Sequence, residues 1–581
     1  MNYNRFKERT PEKTISIAKK ILDKFNLKCE ETSFHNMFNN VYSCCIEIPS
    51  LNVHSNGKGT TKEYCYASAY GELIERLFNC YFRYFYLTEE HPIKLFYDSV
   101  DFSIKNQLLS LPQDIIEDMK TSFFESDKKY PSKDELIDVY TTEFGSDIIQ
   151  SIPFYDVKNK NTVYLPECII SSLACSTGLS CGNSLEETLS QAIFEILERY
   201  VYSKIITTGI TPPKIPCSYI KENAPELINI IDQFTSNGYI VSVYDCSLND
   251  KFPVLAVLLI NKETNSYKIN FGSHFSFKIA LERCLTELLQ GYHNIDSIEH
   301  FGMCELSSET NNKLNTFHTY WERFTCNIGP LPYVFFKTIP SYQFKEWVYD
   351  CENWTNSLIL QKLISFCLKH SSTVYIRNNS LMDLSIVRVY IPGLSHIKYI
   401  DPKGNLTKYT TRQKYCLKSY DFDNIKIKQE ELNDFKRIFQ CNLGKINRSI
   451  NIDNDIMKAA VIYDLGDIDM TFDILKKMND KPSFIKVIIQ AIDFINYNID
   501  KDEIYDLLQQ FYNKEDIELG LFLLRGNFLE KLITVVKRNN SHSKEYYQNI
   551  EYNSLYFIDS LCSYMKEHPI DQNNIYIEEL S

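Results

Sequence analysis

Two stretches of the chain carry the same charged pattern. Residues 68–76 read SAYGELIER and residues 191–199 read QAIFEILER, so Ala69, Glu72, Glu75 and Arg76 are echoed by Ala192, Glu195, Glu198 and Arg199. In a helix, offsets of three and four place both glutamates and the arginine of each copy on one side of a turn. The second copy extends upstream in four-residue steps through Gln191 and Glu187, and the first through Ser68. A third segment, ALERCLTELLQ, supplies Arg283, Glu287 and Gln290 at helical spacing. A lone Glu-x-x-Glu-Arg is ordinarily a solvated helix face with its own ion pair. Here the intervening residues are small or apolar and the pattern recurs. Carboxylates gathered on facing helices repel one another unless cations lie between them. Magnesium suits such a set, because hard cations take oxygen ligands and share them with phosphates. The arginines suit bidentate contact with phosphate oxygens.

The elements that must position these residues follow a common plan. Each charged segment comes after a loop of small or polar residues: NGKGTT (56–61), STGLSCGNS (176–184) and FGSHFS (271–276). Backbone amides at loop–helix junctions can cradle phosphate, and Ser184 with Glu187 fits a capping box. No Walker sequence occurs, and Gly57-Lys58-Gly59-Thr60 is not one. Lys58 is either a phosphate-reaching side chain or an exposed turn lysine. Helical spacing over 11–26 begins at Pro11. Strand-like runs then precede helices: Tyr42–Ile48 before 62–82, Thr162–Ile170 before 184–205, and Tyr239–Tyr244, Val254–Ile260 and Tyr267–Phe271 before 276–293. Thr373–Ile376 and Ser385–Tyr390 form a later pair. The expectation is an α/β (α+β) core with large mixed sheets over residues 1–410. Residues 411–450 are expected to be a boundary, entered through the turn-rich DPKGNLTKYTTRQK. Residues 451–581 carry only helical patterns, and 459–478 read as one tetratricopeptide-like hairpin or part of a plain bundle.

Composition removes several classes of function. The 581 residues are 44% hydrophobic and 24% charged, an ordinary globular balance. The net charge of −13 repels phosphate backbones, so direct nucleic-acid binding is not expected. The longest apolar run, Pro253–Ile260, falls short of the ~20 residues a membrane helix needs, so no membrane partner is expected. The N-terminal charges have no apolar stretch behind them, as a secretory signal would. The 18 cysteines include no Cys-x-x-Cys pair and read as reduced thiols of a cytoplasmic protein. Cys175 and Cys181 read as buried small residues, His274 as a loop histidine, and Pro392–Leu394 as a turn.

Taken together, these residues resemble the YcaO family of ATP-dependent enzymes. The resemblance rests on Ser68, Glu72, Glu75 and Arg76, on Asn183, Glu187, Gln191, Glu195, Glu198 and Arg199, and on Arg283 and Glu287. The spacing of Lys7, Pro11, Glu12 and Thr14 is similar to the family's N-terminal nucleotide contact. The resemblance implies ATP bound with Mg2+ between the charged helices. Glu72, Glu75, Glu195 and Glu198 would hold metal. Ser68, Glu75, Arg76, Asn183, Glu187, Gln191, Arg199, Arg283 and Glu287 would meet nucleotide, with Lys7 and Thr14 closing the site. It also implies activation of a peptide backbone amide by phosphorylation. The helical tail resembles that of the subgroup linked to methylthiolation of a small-subunit ribosomal protein. A peptide or ribosomal protein substrate is then expected, with a methylthiotransferase partner or a homodimer as assemblies. The chain ends IYIEELS, without the Pro-rich tail of azoline-forming members, which argues against ring formation. A cyclodehydratase or thioamide-forming enzyme, a non-catalytic ATP-binding scaffold and a metal-dependent hydrolase are the alternatives.

Overall fold

The computed structural model describes residues 6–81, 95–121, 148–292, 294, 333–349 and 351–396. Within 456–572 it describes all but 457–458, 461–462, 464–467, 479–480, 497–500 and 525–540. Helix α1 (Pro11–Lys24) begins where its sequence dictates: the Thr10 side chain accepts from the Lys13 amide, and Pro11 opens the first turn. Ile17, Ala18, Ile21 and Leu22 bury its inner face. Strands β1 (Glu30–Phe38), β2 (Val41–Ile48) and β3 (Val53–Gly59) then form a three-stranded sheet in that order. Helix α2 (Lys62–Phe78), capped by Thr61, packs on it.

Strand β4 (Val100–Ser103) leads to α3 (Ile104–Ser110) and α4 (Gln113–Thr121). Next come β5 (Ile148–Asp156), β6 (Asn161–Pro166), α5 (Glu167–Ala174) and β7 (Leu179–Gly182). The long helix α6 (Leu185–Thr208) runs from its Ser184 cap to a left-handed Gly209 at φ +70°. Strands β8 (Tyr239–Asp245), β9 (Val254–Asn261) and β10 (Tyr267–Ser273) form a second three-stranded sheet with β9 central, followed by α7 (Phe277–Glu287). Helix α8 (Asn356–His370), β11 (Tyr375–Asn378) and β12 (Ser385–Tyr390) complete a six-stranded sheet. Its order is β4-β5-β11-β12-β7, with β6 also pairing on β5. Every described ladder is antiparallel.

The α/β expectation holds, with local differences that have physical reasons. Residues 167–170, expected to extend a strand, open helix α5, because a short apolar run has no period that separates strand from helix. Strand β5 was not expected. Pro153 at its centre reads against an interior strand, yet it stands in the ladder opposite Tyr164. The apolar run at 253–260 is β9, buried on both faces between its neighbours. Among the described residues no helix is long and apolar enough to cross a membrane.

Helices α9 (Ile468–Lys477), α10 (Ser483–Asn496), α11 (Lys501–Leu508) and α12 (Lys514–Leu523) enclose apolar clusters of their own, around Ile485, Ile488 and Ile492 and around Val487, Ala491 and Ile504. The final helix α13 (Ser541–Glu567) returns to the first core cluster. There Phe557 meets Phe25 and Phe78 edge-on, with ring centroids 5.7 and 5.8 Å away. Residues 401–450 and the Leu465-Gly466 turn lie outside the described residues.

Candidate active site

Helix α6 is apolar on nearly every side. Ile193, Phe194, Ile196, Leu197, Val201 and Ile205 are all buried, as expected of a helix in the middle of a large protein. In the middle of the helix Glu195, Glu198 and Arg199 form a half-buried charged strip among these apolar residues. The strip faces α2 and α7. Burial pushes the Glu75 carboxyl up to about 8, with Glu195 and Glu72 adding repulsion and Arg76 and Arg199 opposing it. Burial likewise raises Glu195, which feels Glu287 and Glu72. Glu198 is pushed up to about 8 by burial and then by Glu287. Carboxylates from three helices therefore share one field.

Arginines hold these carboxylates in place. Arg76 lies 3.3 Å from Glu72 and 3.6 Å from Glu75, and Arg199 Nε lies 3.0 Å from Glu195. Arg283 donates to the Ser273 carbonyl at 2.9 Å, within the field of Glu198, Glu287 and Glu195. Lys58 enters from β3, its ammonium 2.6 Å from Glu287 Oε2. Ser68 stands one turn before Glu72 on α2, half-buried. Among the described residues no group of three or more His, Cys, Asp or Glu could hold a metal ion by itself. The donor chemistry nevertheless fits magnesium. The set is all oxygen, burial raises its carboxyls in spite of the neighbouring arginines, and Mg2+ needs only one or two protein carboxylates beside water and phosphate.

The N-terminal end of α6 is built differently. Ser184 Oγ accepts from the Glu187 amide, one half of the expected capping box. The Glu187 carboxylate does not fold back to complete it. Instead it accepts from Lys7 Nζ at 3.0 Å, the Glu8 amide at 3.0 Å and Asn183 Nδ2 at 3.2 Å. Lys7 also donates to Gln191 at 3.3 Å, and Thr14 donates to Asn183 Oδ1 at 2.7 Å. Residues 7–14 and 183–191 thus form one closed network.

His274 is no simple loop histidine. Its ring lies between Phe6 and Phe194, with centroids 5.1 and 4.7 Å away, and Nδ1 accepts from the Ser276 amide. Burial, followed by Arg283 and Lys7, holds its pKa well below the usual imidazole range. Cys175 and Cys181 are raised by burial, Cys175 to about 12, in keeping with inert thiols. The Pro392–Leu394 turn is held by Asp118, which accepts from the Gly393 amide and Tyr390 Oη. Sequence reasoning missed Asn356, whose Nδ2 donates to the Phe6 carbonyl at 3.2 Å and so fastens the N-terminal segment. No spacing rule could find a partner 350 residues away.

Comparisons with known proteins address the same residues. The family model described as YcaO cyclodehydratase, ATP- and Mg2+-binding, matches residues 56–395. An uncharacterised protein of Haemophilus influenzae is 30% identical over 396 residues, 67% of this chain and 66% of that one. The ribosomal protein S12 methylthiotransferase accessory factor YcaO of Escherichia coli is 29% identical over 395 residues, with the same coverage. The chain therefore spans about two thirds, 66%, of each relative's length. YcaO from Methanopyrus kandleri bound with AMPPCP and Mg2+ is a similar solved structure, at 15% identity over 68% of this chain and 93% of that one, with TM-score 0.42. A heterocyclase in complex with substrate and cofactor is similar at 17% identity over 68% and 54%, with TM-score 0.45. The family match takes in more than half of the chain and every carboxylate and arginine gathered between α2, α6 and α7: the chain belongs to the YcaO family, whose ligands are ATP and Mg2+.

Proposed function

We propose that the chain uses Mg·ATP to activate a peptide backbone amide. A nucleophile adds to the amide carbon, the resulting oxyanion takes the terminal phosphoryl group of ATP, and phosphate then leaves. Amide oxygen is a poor leaving group, and phosphorylation makes it a good one. Glu72, Glu75, Glu195 and Glu198 are the metal ligands of this reading. When bound, the ions neutralise phosphate charge and align the triphosphate. Ser68, Arg76, Asn183, Glu187, Gln191, Arg199, Arg283 and Glu287 meet the nucleotide, and Lys7 and Thr14 close over it. Their work is position and charge.

The observation that carries this reading is the opposition of Glu75 and Glu195 across two helices, each backed by an arginine. Isothermal titration of Mg·ATP into wild type and Glu195→Ala tests it. A loss of ~1–3 kcal/mol is expected from the unsatisfied charged partners, and equal affinity overturns the assignment.

The name of the Escherichia coli relative supports a finer reading. The substrate is a peptide or ribosomal protein in the cytoplasm, and the chain assists its methylthiolation. Residues 1–410 are then the catalytic core, and the helices within 451–581 dock a methylthiotransferase or a second copy of the chain. The family description favours a second reading, a cyclodehydratase or thioamide-forming enzyme acting on a peptide. Phosphate release with ribosomal protein, with peptide and with neither separates the two. Tight nucleotide binding without turnover in any arm points instead to a scaffold.

A further inference from the structure

Lys58 stands on β3 between two glycines, and close packing accounts for both of them. A Cβ on Gly57 would come within 2.1 Å of the Cys65 carbonyl oxygen, and one on Gly59 within 2.6 Å of the Cys65 nitrogen. Only glycine lets β3 lie directly on the first turns of α2. Strand alternation then turns the Lys58 side chain to the other face, towards α7. There Gln290 Nε2 donates to the Asn56 carbonyl at 2.6 Å, and the Lys58 ammonium meets Glu287 Oε2. The strand thus delivers a cation from a fourth element into a site otherwise built by three helices.

The cations of that site are held to different degrees. Arg76 is shared by Glu72 and Glu75, Arg199 is fixed one turn from Glu195, and Arg283 is tied to the backbone of Ser273. The Lys58–Glu287 pair, at 23% and 27% exposure, is as accessible as the arginine pairs, so the difference lies in the side chain itself. An ammonium on a four-carbon stem also moves more readily than a planar guanidinium fork. Glu198 lies close enough for the Lys58 charge to lower its pKa.

Resting on the nucleotide reading above, we propose that Lys58 leaves Glu287 when Mg·ATP binds and takes hold of the terminal phosphate. The test compares Mg·ATP with Mg·ADP by isothermal titration in wild type, Lys58→Met and Lys58→Arg. Lys58→Met is expected to weaken Mg·ATP at least tenfold while changing Mg·ADP less than twofold, and Lys58→Arg to restore most of the difference. Equal losses for the two nucleotides mean that Lys58 only braces Glu287, and unchanged affinity for both means that it has no part; either overturns the proposal. Wild type that binds neither nucleotide sinks the site reading as well. Should Lys58→Met fail to fold, Lys58→Gln gives the same comparison with an unbranched polar side chain.

Discussion

The two ends of the site in α6 are opposites. At its N-terminus, Glu187, Lys7, Asn183, Thr14 and the Glu8 amide hydrogen-bond one another in a closed network. Two turns further on, the carboxyls of Glu195 and Glu198, with Glu75 facing them from α2, are raised by burial that the neighbouring arginines only partly offset. One region pairs its charges within the fold, and the other gathers carboxyls that burial disfavours as anions. Carboxyls gathered in a half-buried place are the arrangement on which the proposed cation binding rests.

That contrast breaks most visibly in opposite signs of mutation. Glu198→Gln should cut magnesium-dependent phosphate release about 100-fold, ~3 kcal/mol at the barrier. The same variant should raise the melting temperature of the ligand-free protein, since it removes a carboxyl that burial forces to hold a proton. A lowered melting temperature would mean that Glu198 is an ordinary structural residue. Glu187→Ala should do the reverse to the fold, costing ~1–3 kcal/mol because Lys7, the Glu8 amide and Asn183 all lose their acceptor. Denaturant unfolding measures it, and a neutral result would dissolve the distinction between the two ends.

The pH dependence sharpens the comparison further. Glu75 and Glu198 keep protons up to about 8 in the fold, against ~4.3 in an unfolded chain. The folded state therefore binds more protons in that window, and stability must fall as pH rises from about 5 to 8. Melting curves in EDTA should show this slope in wild type and a shallower one in Glu75→Gln and in Glu198→Gln. An identical slope in all three proteins would assign it to other groups. The smallest effect is expected from Thr14→Val, about 1 kcal/mol for one hydrogen bond to Asn183, with a matching weakening of Mg·ATP binding on titration.

How much of this could be read beforehand follows from the range of each interaction. The charged strips on α2, α6 and α7 were legible because helical neighbours lie three and four residues apart, so sequence spacing is spatial proximity. The Ser184 cap and the dry central strand β9 were legible for the same local reason. The Gly-Lys-Gly alternation also held a readable signal, two positions stripped of side chain beside one that points the other way, but the segment was read as a loop, with Lys58 left open between phosphate and solvent, where the fold makes it strand β3. Strand β5 was hidden by Pro153, and the destination of Glu187 by a capping pattern that is only half used.

The chain itself determined which helices carry paired carboxylates and arginines and on which side of each helix they stand, because residue type and helical period are local properties. Tertiary structure alone decided that Glu75 faces Glu195, that Lys7 reaches Glu187 and that Asn356 fastens Phe6. Those pairings depend on where sheets and helices come to rest after their apolar faces are buried. No interval along the sequence encodes that distance.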